Sequence, residues 1–168
     1  MHLLCFNLAD KEYAVDIGSV REVRRVKQVT PIPKALDFIE GVVSLRGRVV
    51  PIINLRKKLG LPDRTGINVR QAGLPSAKNT SFNRVLITES NDHILGVAVD
   101  SVIGVTAIDK ANIEPPDEIL KKAEYLIGVG KLAKRLILII DIEKLLSGEE
   151  KSGIAEVHKK VELRKRNV

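Results

Sequence analysis

A single cysteine, Cys5, excludes any disulfide within the chain, and a lone cysteine in an apolar run reads as a small hydrophobe. No stretch reaches the ~18 uninterrupted apolar residues of a membrane span. The opening run, Met1 to Asn7, carries no basic leader, so the expectation is a cytoplasmic chain with no direct membrane insertion. His2, His93 and His158 stand far apart, with no His or Cys at ligand spacing, which gives no basis for a metal site. Tryptophan is absent, and two tyrosines and three phenylalanines are too few for the stacking platforms of single-stranded nucleic acid. Gly128-Val-Gly130-Lys131 lacks both the four-residue spacer and the hydroxyl residue of a phosphate loop, and Ser44 has no base near it in sequence. An enzyme reading therefore has no residues to name, and no cofactor is expected.

What is present is a chain of 168 residues, long enough to bury roughly 70% of its unfolded surface as one domain. Its net charge of +7 is unevenly placed. Lys151, Lys159, Lys160, Arg164, Lys165 and Arg166 stand against Glu156 and Glu162, so 151–168 carries +4 and the body only +3. A body charge of that size creates no special field for polyanions. The expected division is a folded body over 1–150 and a basic tail over 151–168, helical or disordered, with Ile154, Val157 and Val161 at helix-compatible spacing.

The richest stretch runs from Ile39 to Leu61. Two β-branched runs, Val42 to Leu45 and Val49 to Ile53, flank Arg46-Gly47-Arg48 and predict a β-hairpin. Asn54 then stands where a helix N-cap belongs and Gly60 where that helix would end. The pattern returns 87 residues later: Gly41 falls on Gly128, Leu45 on Leu132, Arg48 on Arg135, Ile52-Ile53 on Ile139-Ile140, Asn54 on Asp141 and Phe38 on Tyr125. The second helix is expected over Ile142 to Ser147, stopping at Gly148. Turn, cap and apolar positions recurring in order mark an internal repeat.

Upstream, Leu3 to Leu8 and Glu12 to Val15 read as paired strands around Asp10-Lys11, Asp16 as the cap of one helical turn, and Val20 to Val26 as a strand with Val20, Val23 and Val26 turned partly inward. Thr30-Pro31-Ile32-Pro33 is a connector, and Pro51 is expected at an edge or a bulge because it has no N–H to donate. Pro62 to Asn83 lacks periodicity and reads as one long loop. The first half then restarts at an offset of 82, with Val15, Ser19, Val20 and Val23 returning as Val97, Ser101, Val102 and Val105, after a strand at Arg84 to Glu89 and a turn at Asn91-Asp92. Glu118 to Glu124 is expected to form a short helix. About five short strands per half are too few for separate sandwiches and suit two small barrels sharing a core, a mainly β fold.

Glu22, Arg46 and Arg48 remain as charged groups beside apolar strands. They read either as a solvated face or as a protein-docking surface, where an arginine beside an apolar groove makes an anchor.

Phe38 to Arg56, Tyr13-Ala-Val-Asp-Ile, Val20-Arg-Glu-Val, Gly96-Val-Ala-Val-Asp100 and Leu136 to Leu146 together resemble the signature of the CheW family of bacterial chemotaxis coupling proteins, over roughly Leu3 to Gly148. The resemblance implies two intertwined five-stranded barrels of SH3-like form and no catalysis. It implies a scaffold that couples the cytoplasmic tip of methyl-accepting chemotaxis receptors to the regulatory domain of the histidine kinase CheA within a receptor array. By motif, Val20, Glu22, Gly41 and Arg46 fall on the receptor side, with a helical hairpin laid in a groove between the barrels and Gly41 allowing backbones to approach closely. Val85, Ile87, Val97, Val99 and Val105, taken as parts of the second barrel, are the expected kinase contacts, and Glu118 and Ile119 the expected array contacts. The remainder after Gly148 leaves no room for a receiver or kinase domain, which fits a stand-alone coupling protein. The rival is a small-barrel nucleic-acid binder that uses the basic tail: truncation after Gly148 would abolish its binding, whereas a scaffold would keep its partners.

Overall fold

The computed structural model describes residues 1–26, 28–61, 84–90, 93–118, 123–146, 150–151 and 154. The first three strands are β1 (His2–Leu8), β2 (Lys11–Asp16) and β3 (Val20–Arg24). Asp16 caps the single 3-10 turn before β3, its carboxylate accepting from the Gly18 N–H at 2.8 Å. β4 (Ile39–Leu45) and β5 (Arg48–Asn54) form the expected hairpin. Its loop is the two-residue Arg46-Gly47, with both residues at positive φ, 50° and 79°. That is the turn whose twist matches paired strands.

Asn54 caps α1 (Leu55–Lys58), its side chain accepting from the Lys57 N–H at 3.3 Å. The helix closes as a Schellman motif: Gly60, at φ 72°, donates to the Lys57 carbonyl and Leu61 donates to that of Arg56. β6 (Arg84–Ser90), β7 (His93–Val99), β8 (Ser101–Ala107), the two-residue β9 (Ile113–Glu114), β10 (Leu126–Leu132), β11 (Arg135–Ile140) and α2 (Ile142–Leu145) follow.

The strands make a six-stranded sheet in the order β8-β1-β2-β11-β10-β9 and a five-stranded sheet in the order β3-β6-β7-β5-β4. Each copy of the repeat therefore lends its first two strands to the other copy's sheet, through parallel joints β2–β11 and β5–β7. The joints match residue for residue: Ile139 faces Ala14 where Ile52 faces Gly96. A Cβ on Gly96 would stand 2.5 Å from Ile52 Cδ1 across the joint and 2.8 Å from Val85 Cγ1 on β6, so the small residue leaves room for both side chains. The barrels are intertwined, and neither half of the chain is a separate unit.

Burial follows that exchange. Val50, Ile52, Val85, Ile87, Ile94 and Ala98 fill the five-stranded sheet, and Leu3, Cys5, Ala14, Ile137 and Ile139 fill the other. Between them, Leu4, Phe6, Val15, Leu55, Leu86, Val97 and Ile140 form a shared core built from both sheets and α1.

Several expectations are corrected. β6 and β7 belong to the five-stranded sheet with β3, β4 and β5, so Val85, Ile87, Val97 and Val99 are not part of a second barrel distinct from Arg46. Val23 points outward at 40% exposure, because Val20, Glu22 and Arg24 take the inner phase and the bulge between Val20 and Glu22 does not reset it. Pro51 lies on an interior strand. It is tolerated because its partner Val42 spends its own N–H and carbonyl on Thr30, making a pair without mutual hydrogen bonds, and because the β5–β7 ladder begins only at Ile52. α2 ends at Leu145, where Leu146 turns extended, short of the expected Ser147. Glu118 and Glu124 stand in turns, while 119–122 in the expected helix between them, the loop over 62–83, the turn at 91–92 and most of the tail lie outside the described residues.

Candidate functional site

β3 and β4 are the two open edges of the five-stranded sheet, and the β4–β5 turn brings Arg46 across to β3. There Arg46 Nη2 donates to Glu22 Oε2 at 3.3 Å, while Arg24 Nε donates to Glu22 Oε1 at 3.3 Å. The turn residue Arg46 keeps 75% of its side chain exposed, so this pair contributes on the order of 0–1 kcal/mol to stability. It sets a guanidinium beside an opening. That opening is a cavity of about 270 Å³, with Arg21, Glu22, Arg46 and Arg48 at its rim. Val50, Ile87 and Ile94 form its floor. Its lining belongs wholly to the five-stranded sheet and the β4–β5 turn, so it opens within one barrel and not between the two as expected.

The structure thus joins Glu22 and Arg46 but not the other two residues expected beside them. Val20, half-buried, packs against the shared core, away from that lining. Gly41 is buried at the bulge of β4 with φ 145°, and a Cβ there would strike the carbonyl oxygen of Thr30. The backbone it admits is the chain's own connector, which bonds to Val42 in both directions at 2.8 and 2.9 Å. Gly41 shapes the barrel and presents nothing to a partner.

Of the expected kinase contacts, Val85, Ile87, Val97 and Val99 are core side chains with no face to offer; Ile87 reaches only the cavity floor. Val105 differs, standing 56% exposed on β8, an edge strand of the six-stranded sheet, beside Ile103 at 47%. Glu118 is exposed in a turn, and Ile119 lies outside the described residues.

Three arrangements went unread in the sequence. Arg56 of α1 forms a buried bidentate pair with Asp100, Nε to Oδ1 at 2.7 Å and Nη2 to Oδ2, and Asp100 also accepts from the Ala9 N–H at 3.0 Å. It ties α1 to the β1–β2 turn and so one sheet to the other. The available signal was an aspartate closing the apolar run 94–99, where a charge must find a partner. Asn54, besides capping, donates to Glu40 at 2.8 Å, and Lys57 pairs with the same carboxylate at 3.0 Å. Ile154 is buried against Ile39 and Ile53, and Lys58 pairs with Glu150 at 2.5 Å while lying over the Phe38 ring.

Cys5 is buried, and desolvation pushes its thiol up from its usual range, keeping it a protonated core group. Among the described residues no three His, Cys, Asp or Glu side chains gather to hold a metal ion, and no helix is long and apolar enough to cross a membrane.

Residues 2–150 match the family model described as the CheW-like domain. The chemotaxis protein CheW of Klebsiella aerogenes is 38% identical over 93% of this chain and 87% of its own. That of Treponema pallidum is 31% identical over 92% of this chain and 87% of its own. Among solved structures, the crystal structure of the scaffolding protein TtCheW from Thermoanaerobacter tengcongensis superposes with a TM-score of 0.73 at 30% identity, covering 89% of this chain and 94% of that one. These relatives lend no support to a nucleic-acid binder.

Proposed function

The chain belongs to the CheW-like family and is a chemotaxis coupling scaffold, and we propose that it links the cytoplasmic tip of methyl-accepting receptors to the regulatory domain of the histidine kinase CheA, by binding and without catalysis. The observation that carries the partner assignment is the Arg46–Glu22 pair beside the cavity, linking the β4–β5 turn to the outer strand β3 of the five-stranded sheet. An exposed ion pair adds little to the fold, which leaves the Arg46 guanidinium free for a partner beside an apolar floor. The receptor tip docks there, its helical hairpin resting on the cavity rim. The kinase domain docks on the other sheet, at the β8 edge, where Ile103 and Val105 stand beside unpaired strand backbone. Glu118 and Ile119 are left as contacts to neighbouring array members. The protein works in the cytoplasm, recruited to receptor arrays.

Two charge substitutions test the assignment by crossed binding. Arg46→Glu is expected to lose the receptor tip and keep the CheA domain, and Val105→Asp to do the reverse. Loss of the same partner by both variants, or of neither, contradicts it.

A further inference from the structure

The rim of the cavity carries more positive charge than the fold uses. Glu22 is already shared by Arg24 and Arg46, and Arg21 is engaged by Glu89 at 3.1 Å. The Arg48 side chain makes no hydrogen bond or ion pair among the described residues. It is exposed, opposite Leu45 at the mouth of the hairpin, and alternation puts it on the same side of β5 as Val50. An uncommitted guanidinium therefore stands directly beside an apolar floor, with no local carboxylate left to answer it.

We infer that Arg48 sets the specificity of this site by taking a carboxylate from a partner helix, an Asp or Glu placed one helical turn from an apolar side chain that enters the cavity. This rests on the receptor-docking reading given above. The charge around the rim decides the occupant's sign: four guanidiniums, Arg21, Arg24, Arg46 and Arg48, against two carboxylates, Glu22 and Glu89, repel a basic segment and favour an acidic one. The apolar floor of Val50, Ile87 and Ile94 demands an apolar anchor. Residues i and i+3 or i+4 of a helix share one face, so a single helical turn supplies both groups. Arginine suits the task because its planar fork grips a carboxylate with two parallel bonds, which a lysine cannot do.

The test is titration of a receptor-tip fragment into full-length wild type and into Arg48→Glu, Arg48→Lys and Arg48→Leu, at low and high salt, with CheA-domain binding as the control for an intact fold. Arg48→Glu is expected to weaken tip binding by about tenfold or more, and Arg48→Lys by about two- to threefold, leaving the kinase domain unaffected. The salt dependence of tip binding should flatten in Arg48→Leu. Scanning the tip's Asp and Glu residues to Lys should yield one fragment that binds Arg48→Glu better than it binds wild type. If Arg48→Glu binds the tip as wild type does while Arg46→Glu loses it, the role of Arg48 is overturned and the docking reading stands. If wild type itself does not bind the tip, both are overturned.

Discussion

The two copies of the hairpin-and-helix unit, 39–60 and 126–145, share a backbone plan down to single hydrogen bonds and differ in what they expose. The Asn54 N–H donates to the Phe38 carbonyl at 2.8 Å, and the Asp141 N–H to that of Tyr125 at 2.7 Å. Ile39 donates to Leu36 and Leu126 to Ala123, both at 2.9 Å. Val42 pairs with Thr30 where Val129 pairs with Glu114, so the short β9 is the second copy's version of the first copy's connector bridge. Even the bulges recur, between Ile39 and Gly41 and between Leu126 and Gly128. Where the chemistry diverges, the first copy is the richer. Its turn is Arg46-Gly47 against Ala133-Lys134, and its helix carries the buried Arg56 where the second carries Glu143. What recurs builds the barrel, and the two arginines that make the Arg46–Glu22 site and the Arg56–Asp100 tie occur in the first copy alone.

Substitutions at matched positions sharpen that contrast. The largest effect is expected at the Arg56–Asp100 pair, which the other copy lacks: Asp100→Ala leaves a buried guanidinium without its main partner and should cost about 3–5 kcal/mol by urea denaturation. Replacing both partners with apolar residues should recover much of that loss, and an additive double variant would contradict a direct pair.

Next come the two bulge glycines. Gly41→Ala meets both a positive φ and the Thr30 carbonyl, and should cost about 2–4 kcal/mol. Gly128→Ala meets the Glu114 oxygen at 2.7 Å on a two-residue edge strand that can yield, for about 1–2 kcal/mol. Equal melting temperatures for the two variants would break the distinction.

Ile154 covers Ile39 and Ile53 in the first copy, whereas Ile140, the counterpart of Ile53, sits in the shared core. Ile154→Ala should therefore cost about 2–3 kcal/mol, and truncation after Gly148 should lower stability and not leave it untouched. A truncated chain with unchanged denaturation midpoint would count against this contact.

At the caps, Asn54→Ala should cost about 1–2 kcal/mol because Glu40 also loses one of its two donors, keeping only Lys57, and Asp141→Ala about 0.5–1 kcal/mol. The smallest effect on stability belongs to Arg46→Ala, at or below about 0.5 kcal/mol, although receptor binding should fall sharply.

Features set by neighbouring residues were legible from the sequence. Arg46-Gly47 specifies a tight turn, Asn54 a cap and Gly60 a helix end, each through local backbone geometry, and their recurrence exposed the repeat. Features that need a distant partner were not. The repeat offset gives equivalent positions but not which copy's strands pair: the intertwining of the barrels came from the family resemblance, and the particular exchange of β1–β2 with β6–β7, with the burial of Val85, Val97 and Val99, needed the structure. Pro51 looked like an edge residue because its tolerance depends on Thr30 taking the Val42 hydrogen bonds. Arg46 and Glu22 were picked out individually as charged groups beside apolar strands and by motif, but the cavity they frame also needs residues from β6 and β7.

The two docking sites proposed above put two partners on two different sheets at once. Titrating the receptor-tip fragment into the chain alone, and into the chain saturated with the CheA regulatory domain, tests it most directly. The same tip affinity in both titrations, with a ternary complex formed, is the predicted result; displacement of one partner by the other would contradict it.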